Sequence, residues 1–138
     1  GSHLTVELTE THFVESSERL QQFIKGCHEL GLQMALDDFG AGYSSLALLL
    51  QFPTGIVKLD RSLLTQITTS PEILHFIQSI VYACHSFGQR ICAEGVETEE
   101  QAAILRDMGC ELIQGFHYYE PMELRDLYEL TARNVHAQ

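Results

Sequence analysis

Two aspartates stand side by side, Asp37-Asp38, after the apolar run Met34-Ala35-Leu36 and before the glycine-bearing stretch Phe39-Gly40-Ala41-Gly42. Adjacent carboxylates at the end of a buried segment repel each other and resist desolvation. A divalent cation relieves both penalties. Hard ions such as Mg2+ or Mn2+ take carboxylate oxygens, and two ions can share one bridging carboxylate. Glu7 and Glu94 also stand at the ends of short, mostly apolar runs and would complete such a shell. Two cations about 3.5–4 Å apart form the arrangement used for in-line attack on a phosphodiester. The plainer assignment of the same pair is a helix cap beside a solvent-facing acid. Lys58, in Ile56-Val57-Lys58-Leu59-Asp60, is the basic member of the group. It is open to several roles: a simple ion pair with Asp60, a bridge to the other acids, or a hold on an attacking water or a phosphate oxygen. Desolvation lowers a lysine's pKa and acidic neighbours raise it. The acidic setting favours a protonated, orienting lysine over a free base.

Positioning such groups takes an ordered set of elements. Apolar periodicity predicts helices over Phe13–Leu30, with Phe13, Leu20, Phe23, Ile24, Cys27 and Leu30 on one stripe, and over Pro71–Phe87, opened by Ser70-Pro71-Glu72. A third helix, Thr98–Met108, opens with the capping box Thr98-Glu99-Glu100-Gln101. Shorter helices are predicted over Ser44–Leu50 and from Met122 to about Leu130. The three long helices each end at a glycine (Gly31, Gly88, Gly109), and each is followed by a short apolar run that stops at a polar residue close to another glycine. This repeat of helix, glycine, buried strand and polar tip extends to Thr5–Leu8 and Gly55–Asp60. About five strands alternating with helices predict an α/β fold with a parallel, helix-covered sheet. Right-handed crossovers then bring Glu7, Asp37, Asp38, Lys58, Glu94 and Gln114 to one rim, where α/β folds bind ligands.

Composition bounds the function. The first three residues, Gly1-Ser2-His3, read as a cloning remnant, which leaves 4–138 as one domain's worth of chain. That is too short for a closed eight-stranded barrel, which takes roughly 200–250 residues. Eight Lys plus Arg against nineteen Asp plus Glu give a net charge of −11. Such a chain repels DNA, RNA and anionic membranes, and would need cations to handle a phosphate ligand. No apolar run approaches the ~20 residues of a membrane span. The four cysteines are scattered without a CxxC pair; Cys84, Cys92 and Cys110 sit in or beside apolar runs and read as small packing residues, which fits a reducing cytoplasm. The seven histidines show no metal-ligand spacing.

Five segments together carry a family resemblance: Glu7-Leu8-Thr9-Glu10, the ten residues from Asp37-Asp38-Phe39-Gly40 to Leu46, Lys58-Leu59-Asp60-Arg61-Ser62, Ala93-Glu94-Gly95-Val96-Glu97-Thr98, and Gln114-Gly115-Phe116. In this order and spacing the chain resembles the C-terminal part of an EAL domain, the bacterial phosphodiesterase that opens cyclic di-GMP to linear pGpG. The resemblance runs from about Leu4 to Leu130 and implies an incomplete (β/α) barrel of the TIM type. It also implies that Glu7 and Asp37 bind one Mg2+ or Mn2+ ion and that Asp37, Asp38 and Glu94 bind a second. Lys58 would contact the nucleophilic water, and Gln114 would help to fix the site. Glu10 would anchor the loop from Phe39 to Ser45, with Asp60 and Glu97 behind the ligands or toward the substrate.

The sequence departs from the family in lacking the Glu-Ala-Leu signature and everything before the Glu7 strand. In the family that part supplies a metal-binding glutamate and a metal-binding asparagine. Glu120 stands where the family often carries a basic or small residue. The resemblance therefore implies a phosphodiesterase parent, membrane-anchored if its upstream domains are, with this segment alone inactive. A binding or protein-interaction module without turnover is the alternative. About three missing strands would leave two open edges and an interior lined by Val6, Ala35, Val57 and Ala93. Homo-oligomerisation is expected on that ground, through the edges or through the Phe39–Ser45 region.

Overall fold

The structure, a computed structural model, describes residues 4–9, 17–40 and 54–135. Among the described residues there are five strands: β1 (Thr5–Thr9), β2 (Gln33–Phe39), β3 (Ile56–Leu59), β4 (Arg90–Glu94) and β5 (Leu112–Gln114). All neighbours pair in parallel, in the order β1-β2-β3-β4-β5. The sheet does not close, so β1 and β5 are its two edges. The helices are α1 (Ser17–Glu29), α2 (Arg61–Leu64), α3 (Pro71–Ser86), α4 (Glu99–Asp107) and α5 (Leu124–Val135). The helix expected over Ser44–Leu50, the start of the one expected from Phe13, Glu10, and residues 41–45 of the loop lie outside the described residues.

Local chemistry sets the helix limits. Ser70 accepts a hydrogen bond from the Ile73 N–H, and Pro71 takes the first helical position, where no N–H is needed. At α4 the capping box is complete: Thr98 accepts from the Gln101 N–H, and the Gln101 side chain accepts from the Thr98 N–H. α3 stops at Gly88, whose φ of +71° costs a glycine nothing. α5 begins two residues later than the apolar pattern suggests and runs past Leu130. Thr131 and Ala132 are exposed there, and the Thr131 hydroxyl donates back to the Leu127 carbonyl at 3.0 Å.

One core lies between the sheet and its helices. It takes Met34, Leu36, Val57, Leu59, Ile91 and Ala93 from the strands, and Ile77, Val81, Cys84, Ala102 and Leu105 from α3 and α4. α1 contributes Leu20, Ile24 and Cys27, while Phe23 is 50% and Leu30 74% exposed. Phe23 sits about 60° round the helix from the 20–24–27 seam, and Leu30 follows the last helical residue, so neither reaches the sheet. A second, smaller cluster holds Ala35, Ile56 and Cys92.

This division corrects the expected interior. Val6, Val57 and Ala93 pack on the helix side, and only Ala35 of the four faces the other way. Strand side chains alternate between faces. Ala35, Ile56 and Cys92 each stand two residues before Asp37, Lys58 and Glu94, so they share the face of the polar tips. The residues next to them in sequence must then face the helices. The uncovered face thus carries a short apolar layer beneath a polar rim, not a continuous apolar lining.

All four cysteines are free and buried. Burial, with help from Glu111, pushes the Cys84 thiol up to about 11 and the Cys110 thiol to about 12; burial also pushes Cys92 to about 11, with Lys58 opposing. At pH 8 an ordinary thiol is about a quarter thiolate, whereas one with a pKa of 11 is about a thousandth. Native protein at pH 8 is expected to show no fast reaction with a thiol reagent, and denatured protein to react at all four cysteines. Fast labelling of Cys84, Cys92 or Cys110 in the native state would show that the core is not closed. Cys84, Cys92 and Cys110 ionise above their unfolded value, so their contribution to stability is full below about pH 9 and is lost as the pH rises through 11 to 12.

Candidate metal centre

The parallel order puts the C-terminal ends of all five strands on one rim. Glu7 comes from β1, Asp37 and Asp38 from β2, Lys58 from β3, Glu94 from β4 and Gln114 from β5. Register tightens the grouping, since Glu94 lies directly opposite Gln114.

β2 does something a regular strand cannot. Its pairing with β3 runs Leu36 to Val57 and then Phe39 to Leu59, so that Asp37 and Asp38 together oppose Lys58. This is a β-bulge, and Asp38 takes the left-handed conformation with φ +57°, a region aspartate tolerates better than most residues. The bulge lets two consecutive carboxylates serve one site. Oxygens of Asp37, Asp38 and Glu94 all lie within 4.8 Å of one another. Asp37 also accepts the Asp38 N–H at 2.9 Å, which fixes its carboxylate against the bend.

Lys58 stands among these acids, with only 5% of its surface exposed. Its Nζ lies 2.6 Å from Glu7 Oε1, 2.8 Å from Glu94 Oε1 and 3.4 Å from Asp37 Oδ1. Burial alone would lower its pKa, but the hydrogen bonds to Glu7 and Glu94 and the charges of Glu94 and Asp37 outweigh burial and raise it. The lysine is a fixed cation. The simple Asp60 pair is replaced: the Asp60 carboxylate accepts the Ser62 N–H at 2.8 Å and caps α2. The carboxylates are strained in the opposite sense. Burial, then repulsion from Asp37 and Asp60, holds Asp38 above the usual carboxylate range. Burial raises Glu94 as well, with Lys58 opposing.

Beside the acids lies a cleft of about 210 Å³ lined by Asp60, Arg61, Glu94, Glu97, Gln114 and Phe116, with Gly95 and Gly115 in its wall. Asp60, Glu97 and Gln114 are therefore brought to the site together. Arg61 and Phe116 were quoted in the sequence motifs without a role, and the structure gives the rim a second cation and an exposed ring. Two glycines make this wall possible. Gly95 has φ +69°, and a Cβ there would run into the Arg61 side chain. At Gly115 a Cβ would strike the Val96 backbone. The two tips lock at that point, with the Val96 N–H donating to the Gln114 carbonyl and the His117 N–H to the Val96 carbonyl, both at 3.1 Å. His117 is held in turn by Glu99 at 2.8 Å, and Glu99 pairs with Arg106. The signal for this in the sequence was a glycine directly after each polar tip.

A helix-backed, unclosed parallel sheet with polar groups gathered at its strand ends has the architecture of an incomplete α/β barrel. The EAL domain family model matches residues 1–121, and the chain belongs to that family. Over 126 residues it is 36% identical to the cyclic di-GMP phosphodiesterase NbdA of Pseudomonas aeruginosa, covering 91% of this chain and 16% of NbdA. The crystal structure of the EAL domain of Mycobacterium smegmatis DcpA superposes with a TM-score of 0.87 at 36% identity, covering 94% of this chain and 58% of that one. A manganese and cyclic di-GMP complex of Klebsiella pneumoniae BlrP1 gives 0.76 at 36% identity, with 82% and 29% covered. The chain thus spans little more than half of the DcpA domain and about a sixth of NbdA. Among the described residues no helix is long and apolar enough to cross a membrane.

Proposed function

We propose that this chain is the C-terminal part of a cyclic di-GMP phosphodiesterase and holds most of its divalent-metal site. The carrying observation is the convergence of Asp37, Asp38 and Glu94 within 4.8 Å on one rim, with Lys58 fixed beside them. An all-carboxylate donor set suits Mg2+ or Mn2+. Asp37, Asp38 and Glu94 would hold one ion, and Glu7 with Asp37 would contribute to a second, alongside ligands from the rest of the domain. Bound there, such ions neutralise phosphate charge and make water a better nucleophile.

The chain's own groups do the rest. Lys58 keeps its proton and, anchored on three carboxylates, can orient a water or a phosphate oxygen but cannot serve as the base. Glu94 stays with the ligands: burial raises its carboxyl and Lys58 opposes, and an ion held there would keep it ionised. Gln114 fixes the far wall opposite Glu94. Arg61 supplies the cleft with positive charge for a dinucleotide, and Phe116 offers a face on which a base can stack. Glu10, Asp60 and Glu97 are assigned to loop anchoring and to the surroundings of the ligands.

The reading extends to assembly and place. Copies pair through the open β1 or β5 edges or through the 39–45 region, and the protein works in the cytoplasm. The test is release of linear pGpG, followed by chromatography, from a polypeptide in which this segment is joined to the remainder that relatives carry. Absence of release with either Mg2+ or Mn2+ would overturn the assignment.

A further inference from the structure

The position of Lys58 has a consequence for the cation site itself. Its Nζ is bound by carboxylates from three strands, Glu7 of β1, Asp37 of β2 and Glu94 of β4, at 2.6, 3.4 and 2.8 Å. Its side chain is 6% exposed. Asp37 and Glu94 therefore belong to two overlapping sets: the acids that hold the ammonium, and the Asp37–Asp38–Glu94 triplet whose oxygens gather within 4.8 Å. A positive charge fixed at the first set does for the acids what a metal ion would do. It offsets their mutual repulsion and keeps them assembled, so that the triplet does not have to be ordered from scattered side chains.

We propose that Lys58 is a built-in competitor for divalent cations at this centre: it keeps the carboxylates assembled without metal and sets the concentration of metal needed to load them. The proposal rests on the carboxylate triplet being a cation site. To bind, an ion must draw Asp37 and Glu94 oxygens away from the ammonium and tolerate its charge close by. Removing that charge should therefore tighten metal binding and weaken the metal-free fold.

The probe is Mn2+ alone, titrated into this chain by calorimetry, with thermal unfolding in parallel. Lys58→Gln keeps a polar side chain of similar reach without the charge. It is expected to bind Mn2+ at least tenfold more tightly than the wild type, to melt at lower temperature without metal, and to gain more from Mn2+. Lys58→Arg keeps the charge, and its affinity is expected to stay at or below that of the wild type. A rise in affinity in Lys58→Arg overturns the proposal even if Lys58→Gln does not fold. If Lys58→Gln binds no more tightly, while wild-type binding disappears in Asp38→Asn, the cation site stands and the competition is overturned. If neither the wild type nor Lys58→Gln shows binding that depends on Asp38, the cation site falls and the competition with it.

Discussion

Asp37→Asn, introduced into a polypeptide that carries the whole domain, is expected to reduce cyclic di-GMP hydrolysis by roughly a thousandfold or more, about 4 kcal/mol of barrier. Asp37 is the residue shared by the two proposed ion sites. Its carboxylate belongs to the triplet with Asp38 and Glu94, faces Lys58 at 3.4 Å, and accepts the Asp38 N–H. Asparagine preserves the size but removes a charge and one anionic oxygen, so a shared ligand is lost while the bend can survive. Steady-state rates with saturating Mn2+ measure the effect. A loss under tenfold would mean that Asp37 bridges nothing, and that Glu94 and Asp38 act without it.

The second large effect concerns the chain by itself. Measured per molecule against the joined polypeptide at equal Mn2+, the 138-residue chain is expected to release linear pGpG at least about a thousandfold more slowly. The reason lies in the donor count. Mg2+ and Mn2+ favour six oxygen ligands and part with water reluctantly, so each missing carboxylate costs affinity. On the proposed assignment Glu7 and Asp37 are the donors left for a second ion, and Glu7 is drawn to Lys58 at 2.6 Å. Comparable turnover in the two polypeptides would show that the 138 residues already contain a complete site, and that the unclosed sheet costs nothing in catalysis.

Much of this was legible because strand ends and helix ends leave local signatures. Ser70-Pro71 and the Thr98–Gln101 box mark their helices whatever the rest of the chain does. Short apolar runs ending in Glu7, Asp37, Glu94 and Gln114 locate the rim. What failed was parity. The notion that Val6, Val57 and Ala93 line the interior came from hydrophobicity, and in a strand buried on both faces hydrophobicity does not say which way a side chain points. The polar tips held that information, since any residue two before a rim residue shares its face. The bulge was beyond reach for a related reason: pairing register depends on the neighbouring strand, not on β2 alone. The choice of Lys58's partner was likewise tertiary. Asp60 is two residues away in sequence, yet Glu7, 51 residues away, wins because β1 and β4 bring their carboxylates to the same point.

The bend at Asp37-Asp38 also has a meaning for heredity. An unbroken strand would need its two acids at alternate positions to serve one face. Here they are adjacent codons, and the extra residue between Leu36 and Phe39 is what makes adjacency useful. Loss of a single codon at 37 or 38 would leave a more regular ladder with β3 and remove half of the paired acids. Such a lineage would keep the parallel pairing of β2 with β3 and lose the chemistry in one step. Silent descendants of this fold are thus one in-frame deletion away, recognisable by a lone acid where this chain carries two.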